Sequence, residues 1–248
     1  LKTEKHRDLK RILQDYGVTM ELKEERAYAF TAHNRVCFQL VSGSTEQNFQ
    51  EVYPIIYLDQ LRISPEKIAA LLLSKLKLNT AVFARNCDLK RVDKNFAKTF
   101  LDKYHLMNAT QSAYNLALFY KEDCVALATF SKGRKMNRLR EDQRSFELIR
   151  FCCKSGVTVT GGLTKLVKNF CDSKNAGDVM TYVDKQLSDG SSFISAGFKK
   201  HSETEPNYFL INKITFERIV TKNENEFDKE KFYLVKNLGN VKLVYTPV

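Results

Sequence analysis

The chain has 248 residues, 43% of them hydrophobic, with 40 Lys and Arg against 29 Asp and Glu and a net charge of +11. That length suffices for one large domain, or for a main domain with a smaller one in front, and the apolar content is ordinary for a protein with a buried core. No run of 18 apolar residues could span a bilayer and no signal peptide is visible, while the positive balance fits two readings equally well, a polyanionic partner such as nucleic acid or plain solubility.

Leu1 rather than Met opens the chain, as it would in a trimmed fragment of something longer. Leu9, Ile12, Leu13 and Tyr16 recur at helical spacing in a charged segment. Strands are predicted at 19–30 and 35–41 around a turn at 32–34, followed by a polar loop over 42–51 and a short strand at 53–58. Ser64-Pro65-Glu66 reads as a helix start, Ser as N-cap and Pro at the first position, for a helix over 65–77. A boundary is placed after Leu78, giving a small α+β region over 1–80 and a mixed α/β domain over 81–248. In the second part a strand over 81–89 and a helix over 94–104 precede a hairpin of 116–120 and 124–130 across Lys121-Glu122-Asp123. A basic loop over 131–145 leads to a strand at 146–152. Helix 163–172, strand 178–184, helix 191–196 and strand 208–214 follow, and short strands at 232–235 and 241–245 form a C-terminal β extension.

Six cysteines (37, 87, 124, 152, 153 and 171) show no C-x-x-C pair and no His at zinc spacing. Buried free thiols in a reducing cytoplasm are expected, and no metal site.

The segment with the clearest chemistry is a strand followed by Gly161-Gly162-Leu163-Thr164 at the start of a helix. Glycines opening a helix expose backbone N–H groups at the positive end of the helix dipole, a seat for phosphate or pyrophosphate. A tight turn is the plainer reading of the same pair. Six cations, Lys132, Arg134, Lys135, Arg138, Arg140 and Arg144, lie within the loop 131–145, which suggests a flexible arm contacting phosphates or else a plain solvated, disordered loop. Strand alternation places Glu147 and Arg150 on opposite faces; either could be a structural ion-pair partner, the first reading for Glu147. Asp184 ends a strand beside a glycine-containing loop, a usual place for a functional group in an open sheet, or else it holds a turn. His105 follows a helix and reads as a helix cap or a satisfied surface group.

In order, the Gly161-Gly162 helix, the strand to Asp184, a short helix and Gly197-Phe198 resemble the coenzyme-binding half of the GNAT acyltransferases. The resemblance implies a central mixed sheet flanked by helices and an acyl-CoA, such as acetyl-CoA, with its pyrophosphate on residues 161–164. Phe193 stands where that family often has a proton-donating tyrosine, and Leu163 where Gly or Ala is usual. The stretches Phe83-Ala84-Arg85-Asn86-Cys87, 100–106, 146–152, Tyr182-Val183-Asp184, 205–209 and Leu238-Gly239-Asn240 are similar to phage proteins of the Vsr-like homing-endonuclease group, in the region behind their nuclease. Tyr182-Val183-Asp184 with Gly190 and Phe193 also resembles Mom-type phage DNA-modification proteins, which implies a role for Asp184 in a bacterial or phage-infected cell; the match to the Vsr-like group implies His105 as a general base or substrate contact and sets Arg150 beside the site, where it could meet a phosphate. Glu21, Glu24, Glu25, Asp59 and Glu66 form no metal-binding pattern, so residues 1–80 read as a degenerate nuclease-like region. Two functions stay open: a GNAT-fold transferase acting on DNA bases or another nucleic-acid amine, and a DNA-binding module without chemistry.

Overall fold

The computed structural model describes residues 6–23, 26–41, 54–222 and 226–247. Helix α1 (Arg7–Asp15), strands β1 (Thr19–Lys23), β2 (Arg26–Phe30), β3 (Arg35–Val41) and β4 (Ile55–Tyr57), and helices α2 (Leu58–Ile63) and α3 (Pro65–Lys75) come first. Next are β5 (Thr80–Phe83), a 3-10 turn (Ala84–Asn86), β6 (Asp88–Arg91), α4 (Lys94–Tyr104), β7 (Tyr114–Tyr120), β8 (Asp123–Phe130), β9 (Arg144–Cys153) and β10 (Val157–Thr160). Helix α5 (Gly162–Lys174), β11 (Ala176–Asp184), α6 (Ser191–Ser195), β12 (Lys199–Glu203), β13 (Tyr208–Asn212), β14 (Arg218–Thr221), β15 (Phe232–Lys236) and β16 (Asn240–Tyr245) complete it.

Two compact units share these elements. The first holds residues 1–78, 184–189 and 203–240, the second 79–183, 190–202 and 241–248. Residues 203–240, expected as an extension of the larger domain, cluster with the N-terminal residues up to Leu78. Within the first unit β1–β4 form one sheet, parallel only between β3 and β4, and β14-β13-β15 a second, antiparallel one. Val41, Ile55, Tyr57, Ile211 and Val235 make one apolar cluster between them. This packing, between segments some 150 residues apart in sequence, leaves no alternation or turn signal for a reader of sequence.

The mixed α/β architecture expected of the second part is present in the second unit. Its seven-stranded sheet runs β12-β16-β11-β9-β8-β7-β6, with β9 and β11 parallel. Helix α5 covers one face: Leu163, Leu166, Val167, Phe170 and Cys171 are buried at helical spacing, and Phe170 stacks on Phe130 at 3.8 Å and meets Phe146 edge-on at 5.0 Å. Helix α4, begun by the Asp93 carboxylate accepting from the Phe96 N–H at 2.8 Å, covers the other with Ala97, Phe100 and Leu101 against Ala117, Cys124 and Leu127.

Several local expectations change. The predicted strand 81–89 is β5, a 3-10 turn and β6, because the Lys165 ammonium donates to the carbonyls of Ala84 (3.0 Å) and Cys87 (2.7 Å) and fixes the chain in a turn. The strand at 19–30 is a hairpin, β1 with β2. Ser64 precedes α3 without a side-chain cap bond, and the loop at 42–51 lies outside the described residues. All six cysteines are free thiols, and burial pushes those of Cys124 and Cys171 up to about 12.

Candidate functional site

The central feature of the second unit is the way β9 and β11 part. They pair in register only from Arg144–Ala176 to Glu147–Met180, although β9 continues to Cys153 and β11 to Asp184. Just past the last pair the Thr181 hydroxyl donates to the Leu148 carbonyl at 2.9 Å. Beyond it the facing edges of two parallel strands no longer bond each other. Such edges carry N–H and C=O groups that an extended amide-bearing ligand can satisfy as a strand would.

At the same point β9 bulges. Phe130 pairs with Leu148 but Thr129 with Arg150, so Ile149 is the extra residue. A bulge re-aims backbone and side chains, and here it reverses the alternation. Phe146, Leu148, Phe151 and Cys153 all turn to the α5 side. Glu147 and Arg150 therefore share the α4 side rather than opposite faces, and the Glu147 charge acts on Arg150. Arg150 Nε donates to the Asn108 carbonyl at 3.3 Å and one Nη to that of Ile149 at 3.0 Å. Burial lowers its pKa, with Glu147 opposing. No described side chain bonds the Glu147 carboxylate, which leaves a half-buried acceptor beside the parting strands.

The glycine loop opens α5 in the same unit. Gly161 is exposed with φ +76°, the left-handed region that glycine enters without penalty. Gly162 is buried, and a Cβ there would lie 3.0 Å from Val159, so packing rather than anion access demands that glycine. Leu163 is a core residue, 7% exposed, packed in the main apolar cluster of this unit, which accounts for a bulky residue there. Thr164 lines a cleft of about 410 Å³ with Lys168 of α5, Ser195, Ala196 and Gly197 after α6, Lys199 of β12, and Tyr245 and Thr246. Lys168 and Lys199, absent from the sequence reading, are exposed and in no ion pair among the described residues. Single lysines 31 residues apart carry no sequence signal that they share a cleft. Phe193 packs edge-on against Phe198 at 5.7 Å, an apolar contact in place of a proton donor.

The remaining predicted residues are scattered. Asp184 belongs to the first unit. Its carboxylate accepts from the Gln186 N–H at 2.9 Å and its carbonyl from the Leu187 and Ser188 N–H groups at 3.1 Å, the turn-holding role. Burial raises its pKa, against the Gln186 bond and Arg218. His105, in the second unit, ends α4 and accepts from the Met107 N–H through Nδ1 at 3.1 Å, which occupies the lone pair a base at that nitrogen would need.

The basic loop is tethered rather than free. Arg138 bonds the buried Asp178 at 2.5 Å, and Ser145 bonds the other carboxylate oxygen. Arg144 donates to the carbonyls of Glu141 and Gln143. Leu139 packs so tightly on Gly177 that a Cβ there would lie 2.7 Å away. Arg140 faces Asp142 at 3.8 Å. Lys132, Arg134 and Lys135 stay exposed and in no ion pair among the described residues.

In the first unit, Asp59 is buried and held by Arg218 at 2.5 and 3.1 Å. The Tyr57 hydroxyl donates to the Lys236 carbonyl at 2.8 Å and accepts from Gln186. Burial raises the Tyr57 pKa to about 12. No cluster of three His, Cys, Asp or Glu groups suited to a metal is present among the described residues, and none of the helices is long and apolar enough to cross a membrane.

No protein-family model matches the chain, and no curated protein is significantly similar to it in sequence. Among solved structures it is similar to Arabidopsis thaliana Naa50 in complex with a bisubstrate analogue, at 11% identity over 65% of this chain and 99% of that one, with a TM-score of 0.43. It is also similar to a GNAT family acetyltransferase from Elizabethkingia anophelis with acetyl-CoA bound, at 9% identity over 65% and 99%, TM-score 0.38. A Bacillus subtilis acetyltransferase in complex with CoA gives 9% identity over the same shares and a TM-score of 0.39. The likeness is loose at these scores.

Proposed function

We propose that the second unit is an acyl-CoA-dependent acyltransferase whose acceptor is an amine of nucleic acid. The observation that carries this reading is the parting of the parallel strands β9 and β11 beside a glycine-opened helix. An acylated pantetheine arm is an extended chain with two amides, the form the open strand edges complement. The first-turn N–H groups of α5, next to Thr164, would take the pyrophosphate, and Lys168 and Lys199 any further phosphate. Backbone N–H groups at the Ile149 bulge would polarise the thioester carbonyl. Glu147, next to the bulge, is the carboxylate that would take the proton of the attacking amine. With no tyrosine at Phe193, the departing thiolate would draw its proton from solvent. The nucleic-acid acceptor is supported by the net charge of +11 and by the exposed Lys132, Arg134 and Lys135.

Calorimetry with CoA and acetyl-CoA tests the reading, with Gly161→Asp as the control. Aspartate tolerates the left-handed backbone better than most residues and sets a negative charge at the helix end. Micromolar coenzyme binding, lost by at least about tenfold in the variant, is expected. Glu147→Gln should keep that binding while lowering the transfer rate about a hundredfold on an amine-bearing oligonucleotide. No binding at millimolar coenzyme would remove the transferase reading and leave a nucleic-acid-binding module.

A further inference from the structure

A second concave site lies in the same unit at the other end of α5. It is a pocket of about 350 Å³ between the β6–α4 junction, the start of β7 and the last turn of α5. Arg91, Lys94 and Lys174 bring three cations to it, none in an ion pair among the described residues. The one carboxylate on its wall, Asp93, is engaged in capping α4 through the Phe96 N–H. The Lys174 ammonium sits 4.2 Å above the Tyr114 ring, which holds it at the rim. The pocket therefore carries an excess of about two positive charges, by counting these groups at neutral pH.

Charge and a helix start alone would say little. The decisive group is Asn115. It is only 6% exposed, yet it lines the pocket. Its Oδ1 accepts from the Ser112 hydroxyl at 2.6 Å, which fixes the orientation of the carboxamide. The amino group is then left with two N–H donors and no partner among the described residues. The amide nitrogen is reached from the pocket rather than sealed in the core, so its N–H groups are open to a ligand there. A donor left open among cations, next to the Lys94 and Asn95 N–H groups at the start of α4, suits an anionic acceptor with several oxygens.

We infer that this pocket is a phosphate-binding site, formed by Arg91, Lys94, Lys174 and the Asn115 amide, and separate from the coenzyme seat. Gly161 and Lys174 stand at opposite ends of α5, roughly 20 Å apart along the helix. The site therefore stands whether or not the transferase reading holds. Its phosphate would be that of a nucleic-acid backbone held away from the reacting base, or of a free nucleotide.

The test is a ¹H–¹⁵N NMR titration of the full chain with inorganic phosphate, with chloride at equal ionic strength as reference, and then with a short single-stranded oligodeoxynucleotide. Saturable shifts of the Asn115 side-chain amide and the Lys94 and Asn95 backbone amides are expected with phosphate but not chloride. Arg91→Gln and Lys174→Gln, both at the rim, should each weaken binding about tenfold and leave coenzyme affinity unchanged. The same resonances moving at far lower oligonucleotide than phosphate concentration would identify the polymer as the source; a response to phosphate alone would identify the small molecule. No shift of Asn115 with either probe, or shifts indifferent to both substitutions, would overturn the assignment.

Discussion

Asp184 is a carboxylate whose surroundings pull its titration in opposite directions. Burial raises its pKa and dominates, while the Gln186 N–H and Arg218 lower it. The folded protein therefore binds this proton more tightly than the unfolded chain does. Stability contributed by the group is fully present below the unfolded value, about 3.9, and is lost as pH rises through the raised folded value. Asp184→Asn keeps an oxygen for the Gln186 N–H and removes the buried charge. Thermal melts should show the variant at least as stable as wild type near neutral pH, with any advantage vanishing below about pH 4. A lower melting temperature at every pH would mean that the charge itself is used by the fold. The strand-end position of Asp184 was legible in sequence; its turn was one of two readings, and its burial was not legible, because the groups around it come from residue 57 and residue 218. Glu147 illustrates the opposite gap. Its face on the sheet depends on one extra residue at Ile149, and no period-two pattern announces a bulge.

Among the elements, those set by local chemistry were the ones sequence located well. Helix α4 spans the predicted 94–104, since Asp93 caps it and its apolar residues recur at helical spacing. The β7–β8 hairpin follows from two apolar runs around a three-residue polar turn, with Lys121 and Glu122 at positive φ. The loop 131–145 was misjudged because charge density says nothing about tethering. Its cations now divide by the bonds they make. Arg138→Ala would leave the buried Asp178 with Ser145 alone and should cost about 2 kcal/mol in denaturant unfolding, less than a fully buried pair because Arg138 is half-exposed. Arg134→Ala with Lys135→Ala should leave stability within about 0.5 kcal/mol and flatten the salt dependence of oligonucleotide binding by up to about two counterions. Equal losses of stability from both changes would contradict this division.

At the scale of the whole molecule, the chain passes between its two compact units after Leu78, Val183, Asp189, Ser202 and Asn240. The single crossing expected from sequence marks only the first. A truncated chain of residues 79–248 would carry β13, β14 and β15 without Val41, Ile55 and Tyr57 to cover Ile211 and Val235, and without Asp59 to pair Arg218. It should be far less soluble than the full chain, measured as the fraction surviving centrifugation after refolding, and a monodisperse, cooperatively melting product would refute the shared packing. The same interleaving sets a timetable for synthesis. A ribosome delivers β16 after every other described strand, yet it lies between β11 and β12. The first unit likewise waits for residues up to 240. Neither unit can close before its late segments, up to 240 for the first and β16 for the second, have emerged. The nascent protein then depends on holding its unfinished sheets apart from other chains rather than on folding one domain ahead of the other.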